Sequence, residues 1–171
     1  MIKPWSESDI RDALRAQIYR ATGNTEGAIE NLEQKIDNNP KNEKEYLNLI
    51  FLYSEQGNKE KAFEAAKNLL KNNPKSELVH LALYKFYLNE GNATEAIKSM
   101  KIVFNSEEVD KETQYKVLGD FIQFVNENPE YETELGEIVN QFSIENGRVY
   151  EKLGDYYAAK NRKEDALNAY E

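Results

Sequence analysis

An all-α solenoid of antiparallel helix pairs is the fold class this sequence predicts, and three observations predict it. The first is a 34-residue period: Tyr19, Tyr53 and Tyr87 keep that interval, as do Gly23, Gly57 and Gly91, and Ala28, Ala62 and Ala96. The second lies inside each period, where two amphipathic stretches of helical spacing flank a Gly-Asn dipeptide. The third is the recurrence of Pro40 and Pro74 at the same interval, closing successive units. Several coincident series at one period specify the architecture more strongly than any single motif does.

Glu43 to Ser76 is the clearest copy. Counting Glu43 as position 1, Tyr46 stands at 4, Leu49 at 7, Ile50 at 8, Tyr53 at 11, Gly57 at 15, Ala62 at 20, Ala66 at 24 and Pro74 at 32. This arrangement resembles the tetratricopeptide repeat, a 34-residue helix-turn-helix with bulky residues early, a small residue at 20 and a proline near the end. The resemblance implies a right-handed α-solenoid of about 4.5 repeats, the fourth divergent.

Taken in order, residues 1–8 form a lead-in, with Pro4 and Trp5 ahead of a helix start at Ser6–Asp9. One solenoid domain is expected over 9–171, with units at 9–42, 43–76, 77–110, 111–146 and 147–171. In the first three, glycine ends the first helix because it accepts left-handed backbone, and the asparagine after it caps the second. Alanine at position 20 lets the second helix cross closely, and the tyrosines at 11 fill the facing gap. Asp12 and Arg15 make the outer surface of the first unit more polar than that of the second, which reads either as the cap an end repeat needs or as a worn copy of the repeat. The third unit has Glu108 where proline is expected.

The fourth unit puts Tyr115, Leu118, Phe121 and Phe124 on one helix and Leu135, Ile138, Val139 and Phe142 on another. It lacks the Gly-Asn turn and breaks at Asn126–Pro129. At 36 residues it carries about two more than the repeat. The pattern returns with Tyr150, Leu153, Gly154, Tyr157, Ala166 and Tyr170, and Asn161 stands in the place of the turn glycine. The fifth unit is incomplete at Glu171, so a segment of a longer repeat protein is expected.

With 31 acidic and 22 basic residues the net charge is -9, which disfavours nucleic acid and anionic membrane surfaces as partners. No run approaches the roughly 20 apolar residues of a spanning helix, so a soluble chain without membrane insertion is expected. Zero cysteines remove disulfides and thiolate metal sites, and leave the compartment open. No phosphate loop, dinucleotide fingerprint, HExxH or GxSxG occurs, and no cofactor, metal site or catalytic residue is expected. The sole histidine, His80, falls at position 4 and reads as packing. The runs Lys59–Lys61 and Arg162–Asp165 follow turns and read as solvated helix starts. Asn92-Ala93-Thr94 fits a glycosylation sequon, but its place in the turn already accounts for the asparagine.

The resemblance implies that first helices line a concave groove. Carried onto this sequence, that mapping selects Leu47, Asn48, Phe51, Leu81, Lys85, Tyr115, Lys116, Arg148 and Lys152 as a peptide-binding groove, apolar at its centre and basic toward the later units. The carboxylate clamp found in some members is not matched, since Ala13, Gln17, Leu78 and Ala82 replace its polar and basic positions. The function implied is a non-catalytic protein–protein interaction scaffold holding an extended or helical peptide. The alternatives are the recruiting or assembly arm of an enzyme whose catalytic domain lies elsewhere, and a self-assembly module joined through exposed terminal helices.

Overall fold

The computed structural model describes residue 14 and residues 22–142 and 154–170. The lead-in, the first helix of the first unit, and Tyr150 at the start of the fifth lie outside them. Among the described residues the regular structure is helical, without strands. The elements are α1 (Thr25–Asn38), α2 (Glu43–Glu55), α3 (Lys59–Asn72), α4 (His80–Asn89), α5 (Ala93–Asn105), α6 (Lys111–Glu127), a 3-10 turn (Pro129–Tyr131), α7 (Glu132–Phe142) and α8 (Lys163–Tyr170). Residues 154–159 are also helical. The chain divides into two compact units, Met1–Phe86 and Tyr87–Glu171.

In the first unit, α2 packs against both α1 and α3. It buries Tyr46, Leu49, Ile50 and Tyr53, whose i, i+3, i+4, i+7 spacing makes one continuous stripe. Ile29, Leu32 and Ile36 of α1 complete the core on one side. On the other, Ala62 and Ala66 of α3 are fully buried, as small residues at a close helix crossing must be. Phe63 meets Phe86 with ring centres 5.3 Å apart. The helix α4 starts three residues later in its unit than α2 does, because Glu77, Leu78 and Val79 form turns bonded to His80, Leu81 and Ala82 at i+3.

Left-handed backbone occurs where the period places it: Gly23 (φ 66°), Gly57 (φ 74°) and Gly91 (φ 74°), with Asn161 (φ 58°) in the fifth unit. The asparagine after each glycine then caps the next helix. Asn24 accepts from the Gly27 amide at 3.0 Å, Asn58 from Lys61 at 3.2 Å and Asn92 from Glu95 at 3.3 Å. The second helices of the first two repeats end on Asn39 (φ -144°, ψ 82°) and Asn73 (φ -136°, ψ 79°), each out of the helical region ahead of its proline as Cδ sterics require.

The second unit departs from this pattern twice. With no proline after α5, its last carbonyls are satisfied by a side chain: Gln114 Nε2 donates to Val103 O at 2.9 Å, Ser106 O at 3.1 Å and Phe104 O at 3.4 Å. Gln114 is itself buried, so this is an internal C-terminal cap. The helix α6 runs 17 residues against 13 for α2, which accounts for the extra length of the fourth unit. It starts on Asp110, whose carboxylate accepts from both the amide and the hydroxyl of Thr113 at 2.8 Å, and those bonds lower its pKa. It ends at Asn128-Pro129, and α7 follows with Leu135, Ile138 and Val139 buried. Gly154 is buried because a Cβ there would lie 2.5 Å from the Tyr170 ring.

Candidate functional site

The helix α2 separates two functions onto two faces. Core residues Tyr46, Leu49 and Tyr53 occupy one. Lys44, Asn48, Phe51 and Glu55, spaced by four, three and four residues, occupy the other, and all four are exposed. Phe51 is 59% exposed, while Leu47 beside it is half-buried. Phe51 is thus one of the exposed large apolar side chains among the described residues.

Leu81 and Lys85 stand on α4, the first helix of the next repeat, with Leu81 half-buried and Lys85 exposed. The Lys85 ammonium lies 5.8 Å from the centre of the Tyr84 ring, so its stem follows its own helix and its charge faces solvent. Leu47, Asn48, Phe51, Leu81 and Lys85 all belong to the first unit. In the second unit Tyr115 is half-buried and Lys116 exposed on α6, where Lys116 pairs with Glu112 at 3.6 Å. That pair offsets part of the positive charge expected toward the later repeats. Arg148 and Lys152 lie outside the described residues.

The opposite side of α2 faces an acidic stripe of α1, Glu26, Glu30, Glu33 and Asp37. Two adjoining clefts of about 410 and 480 Å³ are lined by α1, α2 and α3 and share Glu33, Tyr53 and Lys61. Glu26, Glu30, Asp37 and Glu64 add to their acidic rim. Tyr53 donates its hydroxyl to Glu33 Oε1 at 2.7 Å, and Lys61 lies 5.6 Å from the same ring. Burial first, and then the Glu33 bond and charge, push the Tyr53 hydroxyl up to about 12. At the other end of α2 the Tyr46 oxygen accepts from Asn72 Nδ2 at 3.1 Å. These tyrosines thus join helices together, in agreement with their reading as packing residues.

His80 is buried at the start of α4, and that burial lowers its pKa, with Glu77 acting weakly in the other direction. It is a core residue of position 4. The charged run after Asn161 is more structured than a solvated helix start. Lys163 and Glu164 are exposed, but Arg162 is half-buried and bonded to Glu132 and to Asp165. The signal was present in the sequence as an arginine where the other turns carry the capping asparagine. Glu132, thirty residues away, has no such mark.

Among the described residues, helix pairs joined by left-handed turns, with α2 carrying one buried and one solvent-facing stripe, define a helical-repeat protein. Residues 13–42 and 46–76 match two models of the tetratricopeptide repeat, so the chain carries tetratricopeptide repeats. Among solved structures it is similar to two crystal structures of MamA. One is 19% identical over 98% of this chain and 92% of that chain, with a TM-score of 0.64. The other is 20% identical over 90% and 83%, with a TM-score of 0.63. A tetratricopeptide repeat protein from Parabacteroides merdae ATCC 43184 is 20% identical over 90% of this chain and 59% of that one, with a TM-score of 0.56. These likenesses establish the fold. No curated protein sequence matches the chain.

Proposed function

We propose that this chain is a non-catalytic interaction scaffold that holds an extended or helical peptide on the first-helix surface of Leu47, Asn48, Phe51, Leu81 and Lys85. The observation that carries the reading is Phe51, 59% exposed on the face of α2 turned away from the core. Covering an aromatic or aliphatic side chain there stabilises a complex by roughly 1.5 to 3 kcal/mol. Asn48 supplies amide hydrogen bonds to a peptide backbone, and Lys85 and Lys44 select an acidic neighbour. In the second unit Tyr115 and Lys116, and beyond the described residues Arg148 and Lys152, are the corresponding first-helix positions of the reading. The mechanism is geometric: rigid helices present side chains in fixed register, so binding costs little ordering of the scaffold.

The test is selection of peptides from a displayed library on the wild-type chain, followed by binding to F51A and K85E. Both variants are expected to bind at least about tenfold more weakly, the factor for one lost anchor, with melting unchanged. Equal affinity for wild type and both variants rejects this surface.

Leu167 and Tyr170 on α8, 61% and 49% exposed, support a second reading, association between copies through that helix. Light scattering over a range of concentrations decides it: a mass that stays at one chain removes the reading.

A further inference from the structure

The C-terminal hairpin, residues 154–170, brings two side chains to one carboxylate. The Tyr156 hydroxyl donates to Glu132 Oε2 at 3.2 Å, and Arg162 Nη1 donates to Glu132 Oε1. The same guanidinium donates through Nε to Asp165 Oδ2 at 2.7 Å and lies 4.7 Å from the centre of the Tyr157 ring. Lys160 Nζ adds a bond to the Asn126 carbonyl at 3.1 Å, tying the hairpin turn to the end of α6. Glu132 opens α7, where a carboxylate also faces the positive end of the helix dipole.

Apolar burial in this hairpin is small. Tyr156 is its one large buried side chain among the described residues, and the others are Gly154, Ala166 and Ala169. By contrast α5 buries Ile97, Met100, Val103 and Phe104. Where little apolar surface is covered, charge-assisted hydrogen bonds carry a larger share of the docking. Arginine at position 162 also gives up the asparagine cap used by three other turns, and its guanidinium reaches Glu132 instead.

We propose that Glu132 is an electrostatic latch for the C-terminal hairpin. The hairpin is held on the fourth helix pair by this carboxylate, and it detaches as a unit when the charge is removed or screened, while α6 stays folded. Such a device lets residues 154–170 open before α6 does.

Amide hydrogen exchange read segment by segment tests this in wild type and in the near-isosteric E132Q, at about 50 mM and about 1 M NaCl, where the screening length falls to about 3 Å. At low salt E132Q should exchange in 154–170 at least about tenfold faster than wild type, as expected for a lost charge-assisted bond, with 111–125 unchanged. High salt should produce the same selective rise in wild type and little further change in E132Q. The proposal is overturned if 154–170 exchanges alike in both proteins, if 111–125 accelerates equally, or if salt leaves the wild-type hairpin unaffected. The wild-type salt series stands whether or not the variant folds.

Discussion

His80 illustrates how a single buried group sets a pH dependence. Its pKa is lowered by burial, so the unfolded chain binds a proton more readily than the folded one. Its contribution is therefore fully present above the unfolded value of about 6.5 and is lost as pH falls below it. Tyr46 holds the equivalent position in the preceding repeat. Between neutral and mildly acidic pH, the melting temperature of wild type should drop more than that of His80→Tyr; identical slopes would remove the histidine from the account. Tyr53 has the opposite sense. Its hydroxyl, pushed up to about 12, stays protonated and bonded to Glu33 below the usual tyrosine value of about 10, and the contribution fades as pH rises through 12. Denaturant unfolding of Tyr53→Phe at neutral pH should show a loss of about 1.5 to 3 kcal/mol, the scale of a hydrogen bond to a charged acceptor. An unchanged midpoint would mean that water replaces the bond without cost.

At the scale of the element, turn chemistry explains why so much of the fold was legible in advance. Glycine with positive φ, asparagine caps and the residue before proline are local backbone preferences, so their period marks helix ends directly. The departures are settled by contacts remote in sequence. Glu108 in place of proline showed that the end of α5 would differ, but not that Gln114 would cap it, because that bond depends on how α6 returns across three carbonyls. Replacing Gln114 with Leu keeps most of the volume and strips the donors from buried backbone oxygens. A stability loss of about 1 to 3 kcal/mol is expected in denaturant titration. No loss would show that the carbonyls find other partners. The latch at Glu132 was hidden for the same reason, since neither helical spacing nor the repeat period links it to Tyr156 or Arg162.

For the molecule as a whole, the net charge of -9 and the exposed stripe on α2 act in different ranges. The net charge acts at a distance and repels polyanions, whereas Phe51, Asn48 and Lys85 act on contact. The candidate surface was only partly legible in the sequence. Helical spacing separates Phe51 and Asn48 from the core stripe, but the half-burial of Leu47, Leu81 and Tyr115 and the pairing of Lys116 with Glu112 depend on neighbouring side chains. The acidic rim of the clefts was open to reading, since Glu26, Glu30, Glu33 and Asp37 share one stripe of α1 at helical spacing, but their meeting with Tyr53, Lys61 and Glu64 depends on how α2 and α3 pack. The central claim is that a peptide lies on the first helices and not on the second. Amide chemical-shift mapping with a library-selected peptide tests it most directly. The account predicts perturbations at residues 44–55 and 80–86 with little change across 59–72, and the reverse pattern would contradict it.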